Sequence, residues 1–206
     1  EDEYRRVYPN GSTACNVIGF AQKDGSAGSG GIEQYYNSSL VGNNGREYGY
    51  LTSDSNLERV IKPAQNGNTV VSTIDLNIQK ICEKYIDEWQ AGIGSNVAAA
   101  IVMDPKTGEI LAMDTSTRYD LNNPYDLSGY YSQEEINAMD DKAKSEAWYK
   151  MWRNFCVNDT YEPGSPQKAF TVAGAMEENI INGSETFQCN GFLSIGGHDI
   201  HCVSRI

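Results

Sequence analysis

Two strand-like runs, Val97-Ala98-Ala99-Ala100-Ile101-Val102-Met103 and Glu109-Ile110-Leu111-Ala112-Met113, flank Asp104-Pro105-Lys106-Thr107-Gly108. The middle stretch has turn composition, since Pro fixes φ, Asp closes a local hydrogen bond and Gly accepts a left-handed backbone. This reads as a buried β-hairpin. Just upstream, Ile78, Ile81, Cys82, Tyr85, Ile86 and Trp89 recur at helical spacing between Asp75 and Gln90, and Asp75 is placed to cap that helix. The chain is therefore a mixture of helix and strand.

Downstream, Ser132-Gln133-Glu134-Glu135 has capping-box spacing and opens a helical stretch whose apolar face is Trp148, Met151, Trp152 and Phe155. A further helix is expected from Ser165 to about Asn179, with Phe170, Ala173 and Met176 facing inward and Asn179 ending it. Residues 1 to about 66 are rich in Gly, Asn, Ser and Tyr, and read as short strands and loops, including Asn16-Val17-Ile18-Gly19-Phe20 and Tyr48-Gly49-Tyr50-Leu51. The polar stretch Ala64-Gln65-Asn66-Gly67-Asn68 marks a boundary, which divides the chain into 1–66 and 67–206.

A net charge of −12 over 206 residues argues against a nucleic-acid partner, which needs a basic face to displace counterions. The longest apolar run, Val97 to Met103, is too short to cross a bilayer. Five cysteines form no C-x-x-C pair, so neither a metal nor another cofactor is expected. Cys189 and Cys202 flank a Gly-rich segment, where a disulfide and two buried thiols are equally good readings.

The chemistry sits in Tyr161-Glu162-Pro163-Gly164-Ser165-Pro166-Gln167-Lys168. A loop delivers Ser165 to the first turn of a helix, and Lys168 follows three residues later. Residues i and i+3 share a helix face with Cβ atoms about 5–6 Å apart, so the Lys168 amine can reach the Ser165 hydroxyl. A serine hydroxyl needs such a base to act as a nucleophile, and desolvation in a closed cleft is expected to make the amine serve. Pro166 suits the first helical position, with Ser165 as N-cap or first exposed residue, and the positive helix end favours an oxyanion beside Ser165. The plain alternative, a capping serine and a solvated lysine, is preferred for S-x-x-K alone. The Tyr-Glu-Pro-Gly lead-in, the small-residue helix Ala169 to Ala175 and the strand pair upstream reverse that preference.

On these residues the chain resembles the class B penicillin-binding proteins, for which S-x-x-K is paired with S-D-N and K-T-G motifs. The likeness extends over Arg6-Val7-Tyr8-Pro9, Val17-Ile18-Gly19-Phe20, Gly31-Ile32-Glu33-Gln34-Tyr35-Tyr36 to Leu40 and Gly42, then residues 71–79 and the 104–109 turn. The resemblance implies an α+β fold: a β-rich, pedestal-like part (1–66), then the first portion of a transpeptidase domain like that of the serine β-lactamases (67–206), an antiparallel sheet with helices on both sides, incomplete at the C-terminus. It implies a serine D,D-transpeptidase in which Ser165 is acylated by D-Ala-D-Ala stem peptides or by β-lactams, Lys168 is the general base and the Ser165 N–H is half of the oxyanion hole. It also implies an extracytoplasmic location, a membrane anchor upstream of Glu1, peptidoglycan stem peptides and lipid-linked precursor strands as substrates, and a glycosyltransferase partner.

Pro166 and Gln167 depart from the family's usual Ser-Thr-x-Lys. Lys106-Thr107-Gly108 spells K-T-G before the nucleophile and Tyr35-Tyr36-Asn37 mimics a Y-x-N triplet, so both are expected to be structural decoys. No S-x-N lies between Lys168 and Ile206, and the chain alone is expected to be catalytically incompetent. Two other roles compete: a penicillin-sensing receptor domain, which would need no pedestal, and a non-catalytic interaction module of a cell-wall assembly complex.

Overall fold

A computed structural model of the chain describes residues 6–22, 27–51 and 57–202. It is α+β and divides into two compact units, residues 1–159 and 160–206.

The first unit opens with α1 (Cys15–Ile18), which the short apolar run Asn16-Val17-Ile18, expected as strand, joins instead. Ala14 at φ 53° and Gly19 at φ 72° bracket it with left-handed backbone, and Glu83 accepts from the Ala14 N–H at 3.2 Å and from the Thr13 hydroxyl at 3.3 Å. A four-residue segment with two β-branched side chains carries no readable period, so tertiary contacts decide its form. Next come the two-residue strands β1 (Phe20–Ala21) and β2 (Gly28–Ser29), the helices α2 (Gly31–Tyr35) and α3 (Asn37–Leu40), and the exposed ribbon β3 (Arg46–Leu51) and β4 (Leu57–Lys62). Arg6 and Tyr8 meet Glu33 of α2, with Arg6 Nε 2.7 Å and the Tyr8 hydroxyl 3.1 Å from the same carboxylate oxygen. Two of the stretches that carry the family resemblance are thus stitched together through a carboxylate that is only 5% exposed.

The helix α4 (Leu76–Ala91) forms as its periodicity predicts, and Asp75 caps it by accepting from the Asn77 and Ile78 N–H groups. The hairpin is β5 (Ala99–Met103) and β6 (Ile110–Thr115), with a register shift at Val102/Met103. Asp75 N–H donates to Leu111 O at 2.8 Å and the Thr73 hydroxyl to Ile110 O at 2.7 Å, which fixes the chain entering α4 along β6. The fully buried Gln79 accepts from Met113 N–H and donates to Glu83, tying helix to strand. The hairpin is only half buried: β6 is largely covered, but Ile101 and Met103 of β5 are 49% and 53% exposed. Among the described residues this sheet has two strands, and the face of β5 that carries Ile101 and Met103 has no layer over it.

The expected 132–155 helix is broken into α5 (Gln133–Ala138), α6 (Asp141–Trp152) and α7 (Phe155–Asn158). The Ser132/Glu135 capping box forms, but the Asp140 side chain caps a fresh start by accepting from Ala143 N–H at 2.7 Å. Met151 is buried as expected, in a core of Cys15, Phe20, Tyr119, Leu121, Leu127 and Ala147, with Trp148 and Trp152 at its edge. Residues 15–20 therefore share one core with residues 119–151. Phe20 is 1% exposed, and truncating it to alanine is expected to cost about 3–5 kcal/mol.

Burial also pushes the Cys15 thiol up to about 12, whereas Cys189 is exposed. Iodoacetamide at mildly alkaline pH is therefore expected to modify Cys189 rapidly and Cys15 only after unfolding, read by mass spectrometry of quenched time points.

The second unit holds α8 (Gln167–Glu177) and the hairpin β7 (Phe192–Ile195) and β8 (His198–His201). Gly196 and Gly197, at φ 61° and 84°, make the two-residue turn that a right-twisted hairpin requires. Cys189 and Cys202 are both exposed rather than buried, and Cys202 N–H extends the hairpin by donating to Gly191 O.

Candidate active site

Ser165 stands one residue before the cap of α8's first turn, two positions ahead of Gln167, on a turn that Gly164 makes possible. Gly164 lies at φ 58°, and a Cβ built there would meet nothing within 4 Å, so the requirement is conformational rather than steric. The Pro-Gly dipeptide was the signal for this turn in the sequence.

Gln167 N–H donates to Gly164 O at 3.2 Å and Lys168 N–H to Ser165 O at 3.0 Å. These are i→i+3 bonds, in which residues three apart eclipse one another, so Lys168 starts from a position above Ser165 on the same side of the first turn. Pro166, at φ −54°, is the last residue before the helix and takes the cap position expected for Ser165. No side chain caps α8: the N–H groups that a capping serine would bind are spent on backbone carbonyls. The Ser165 hydroxyl is thus free of the capping role that the plain reading gives it. Among the described residues the Ser165 N–H has no acceptor, and it lies at the positive end of an 11-residue helix. That end can hold an oxyanion on the carbon that Ser165 Oγ attacks.

Ser165 and Lys168 are both exposed, and among the described residues no hydrogen bond joins the hydroxyl to the amine. The closed cleft expected around them is not built by these residues. The expected inward face of α8 is likewise open, with Phe170 73%, Val172 48% and Met176 47% exposed. An amphipathic stripe is buried only where a second layer covers it, and no strand or helix of residues 160–202 does so. The end of α8 is as expected. Asn179 adopts φ 55°, its N–H donates to Met176 O at 3.0 Å, and Ile180 N–H donates to Ala175 O at 2.9 Å, the paired bonds of a Schellman motif.

Lys106-Thr107-Gly108 lies in the β5–β6 turn, where Lys106 N–H donates to Asp104 Oδ1 at 2.8 Å and Gly108 is at φ 78°. Tyr35-Tyr36-Asn37 lies at the junction of α2 and α3, with the two rings edge to face at 4.8 Å. Among the described residues no three His, Cys, Asp or Glu side chains gather into a group that could hold a metal.

The profile of the penicillin binding protein transpeptidase domain matches residues 98–204. A probable peptidoglycan D,D-transpeptidase, PbpC of Pseudomonas aeruginosa, is 30% identical over 98% of this chain and 33% of its own length. The peptidoglycan D,D-transpeptidase FtsI of Escherichia coli is 28% identical over 99% of this chain and 31% of its own. Penicillin binding protein 3 of Mycobacterium tuberculosis, solved with aztreonam, superposes with a TM-score of 0.66 at 28% identity, covering 97% of this chain and 37% of that one. The chain thus spans about a third of the length of the relatives it matches. These matches cover nearly the whole chain, including residues ahead of the matched domain, and the protein belongs to the penicillin-binding protein transpeptidase family, among its class B members.

Proposed function

We propose that these residues carry the nucleophile of a serine D,D-transpeptidase that cross-links peptidoglycan. Ser165 Oγ attacks the carbonyl of the penultimate D-Ala of a stem peptide, Lys168 takes the hydroxyl proton, and the tetrahedral oxyanion is held by the Ser165 N–H together with a second donor. The terminal D-Ala leaves with a proton. The acyl group on Ser165 then passes to an amine of a neighbouring stem peptide, and the hydroxyl is restored. A β-lactam enters by the same attack and stays, because the opened ring remains attached and no leaving group departs.

The observation that carries this reading is the combination at the start of α8: a serine hydroxyl unused by any cap, an N–H with no acceptor, and a lysine placed one short turn above. The family membership supplies the reaction class. On the same basis residues 1–66 belong to a pedestal and 67–206 to the transpeptidase domain, and the protein works at the extracytoplasmic face of the membrane beside a glycosyltransferase. No helix of the described residues is long and apolar enough to cross a membrane, so the anchor in this proposal is a segment outside them.

A fluorescent penicillin tests the proposal on two proteins: the 206-residue chain and a protein of the relatives' full length that carries it. The full-length protein is expected to label and the 206-residue chain to remain unlabelled, since Ser165 and Lys168 stand exposed in it and no S-x-N follows them. A folded full-length protein that never labels would replace the enzyme with the interaction module.

A further inference from the structure

Within the first unit an open groove of about 960 Å³ runs between α6 and the segment that carries β1, β2 and α2. That is near the upper end of the roughly 300–1,000 Å³ usual for ligand sites. One wall is aromatic. The Trp148 and Trp152 rings lie nearly parallel, 9° apart with centroids at 6.4 Å, and Tyr125 meets both edge-on at 5.2 Å. Their indole N–H groups are spent on the carbonyls of Tyr125 and Pro124, at 2.9 and 2.7 Å, which locks the rings without using their faces. Tyr149, 71% exposed, extends the platform and packs edge-on against Trp152 at 5.7 Å. The rest of the lining mixes amide and hydroxyl side chains, such as Gln22, Gln34 and Ser145, with glycine backbone and the apolar Val17, Met113 and Val157. Among the described residues Arg153 is the one charged lining residue, and it is paired with Asp159 at 2.7 Å.

We propose that this groove binds an uncharged glycan, a run of N-acetylated pyranose units. The C–H face of a pyranose carries slight positive charge and meets the negative face of an aromatic ring favourably, while its hydroxyl and acetamido groups need neutral donors and acceptors such as side-chain amides and hydroxyls. Among the described residues the lining has no unpaired charge to pair with an ionic ligand or a charged stem peptide, and the net charge of −12 further disfavours anions. The inference rests on the transpeptidase reading for one point, that the polymer being cross-linked brings glycan to the protein. The groove would then hold a strand while its peptides react elsewhere.

The test is titration of the 206-residue chain with the tetramer of β-1,4-linked N-acetylglucosamine, followed by tryptophan fluorescence, with a proline-rich peptide of similar length as the competing occupant. Saturable binding of the tetramer is expected below about 1 mM. Tyr149→Ala should weaken it by up to about tenfold, and Ser145→Tyr, which fills the groove, should abolish it, both with unchanged far-ultraviolet circular dichroism. Penicillin labelling of the full-length protein should be unaffected by Tyr149→Ala, so failure of the glycan site and failure of the transpeptidase reading give different results. No binding by the folded chain, equal binding by both variants, or tighter binding of the peptide would overturn the proposal.

Discussion

In a protein of the relatives' full length, Ser165→Ala is expected to abolish covalent labelling by penicillin, and Lys168→Ala to slow it by about 10²–10⁴-fold, the range typical of removing a general base. The two variants separate the roles. Without Ser165 Oγ there is no atom to acylate, so higher drug concentration does not restore the label. Without Lys168 the hydroxyl remains and the oxyanion site at the start of α8 is intact, so slow labelling persists and rises with pH as hydroxide replaces the missing base. Lys168→Arg should fail as badly as Lys168→Ala, because a guanidinium cannot give up its proton at these pH values. Stopped-flow or gel-based acylation rates measure all three. A Lys168→Ala protein that acylates as fast as the parent would remove the lysine from the mechanism and leave Ser165 to another base.

The second large effect is on stability. Arg118→Met is expected to destabilise the first unit by about 3–5 kcal/mol, the usual cost of leaving one partner of a buried ion pair alone. The Arg118 guanidinium grips Asp114 at 2.7–3.0 Å, reaches Asp87 at 2.6 Å and donates to Glu83 O at 3.1 Å, so one side chain joins β6 to two turns of α4. The Asp114 side chain is only 2% exposed. Burial pushes the Asp114 carboxyl above the ordinary carboxylate range despite the downward pull of Arg118, and removing the guanidinium removes that pull.

A carboxyl whose folded pKa is raised favours the folded state at pH below its unfolded pKa and loses that contribution as pH rises through the folded value. The Arg118→Met deficit should therefore be largest near neutral pH and shrink toward pH 4, where Asp114 takes up a proton. A loss of roughly 6–20 °C in Tm at pH 7 is expected by circular dichroism. Asp114→Leu combined with Arg118→Met should recover most of it, since a neutral apolar pair leaves no buried charge. An equal loss at pH 4 and pH 7 would mean that lost packing, not the stranded carboxylate, dominates.

Sequence patterns disclosed local structure wherever a side chain or backbone requirement was itself local. Asp75 at the start of α4, the Ser132/Glu135 box and the left-handed Asn179 after α8 were legible because each satisfies orphan backbone groups within a few residues of itself. What depended on distant partners was not. The Asn16-Val17-Ile18 run became helix because Glu83, about 70 residues away, binds the turn before it. Phe170 and Met176 carry the period of a buried face, yet period alone does not supply the layer that buries it. The three-residue spacing of Ser165 and Lys168 was legible, whereas the hydroxyl's freedom from capping became visible only with the backbone bonds of Gln167 and Lys168. The aromatic wall at Trp148 and Trp152 read as core and is half that: both side chains pack against the core and also line a groove.

The most direct measurement is peptide mapping by mass spectrometry after a full-length protein has reacted with a penicillin. The account predicts one adduct, of the mass of the intact drug, on the peptide containing Ser165. An adduct on any other residue, or none from protein that is folded and pure, would contradict it.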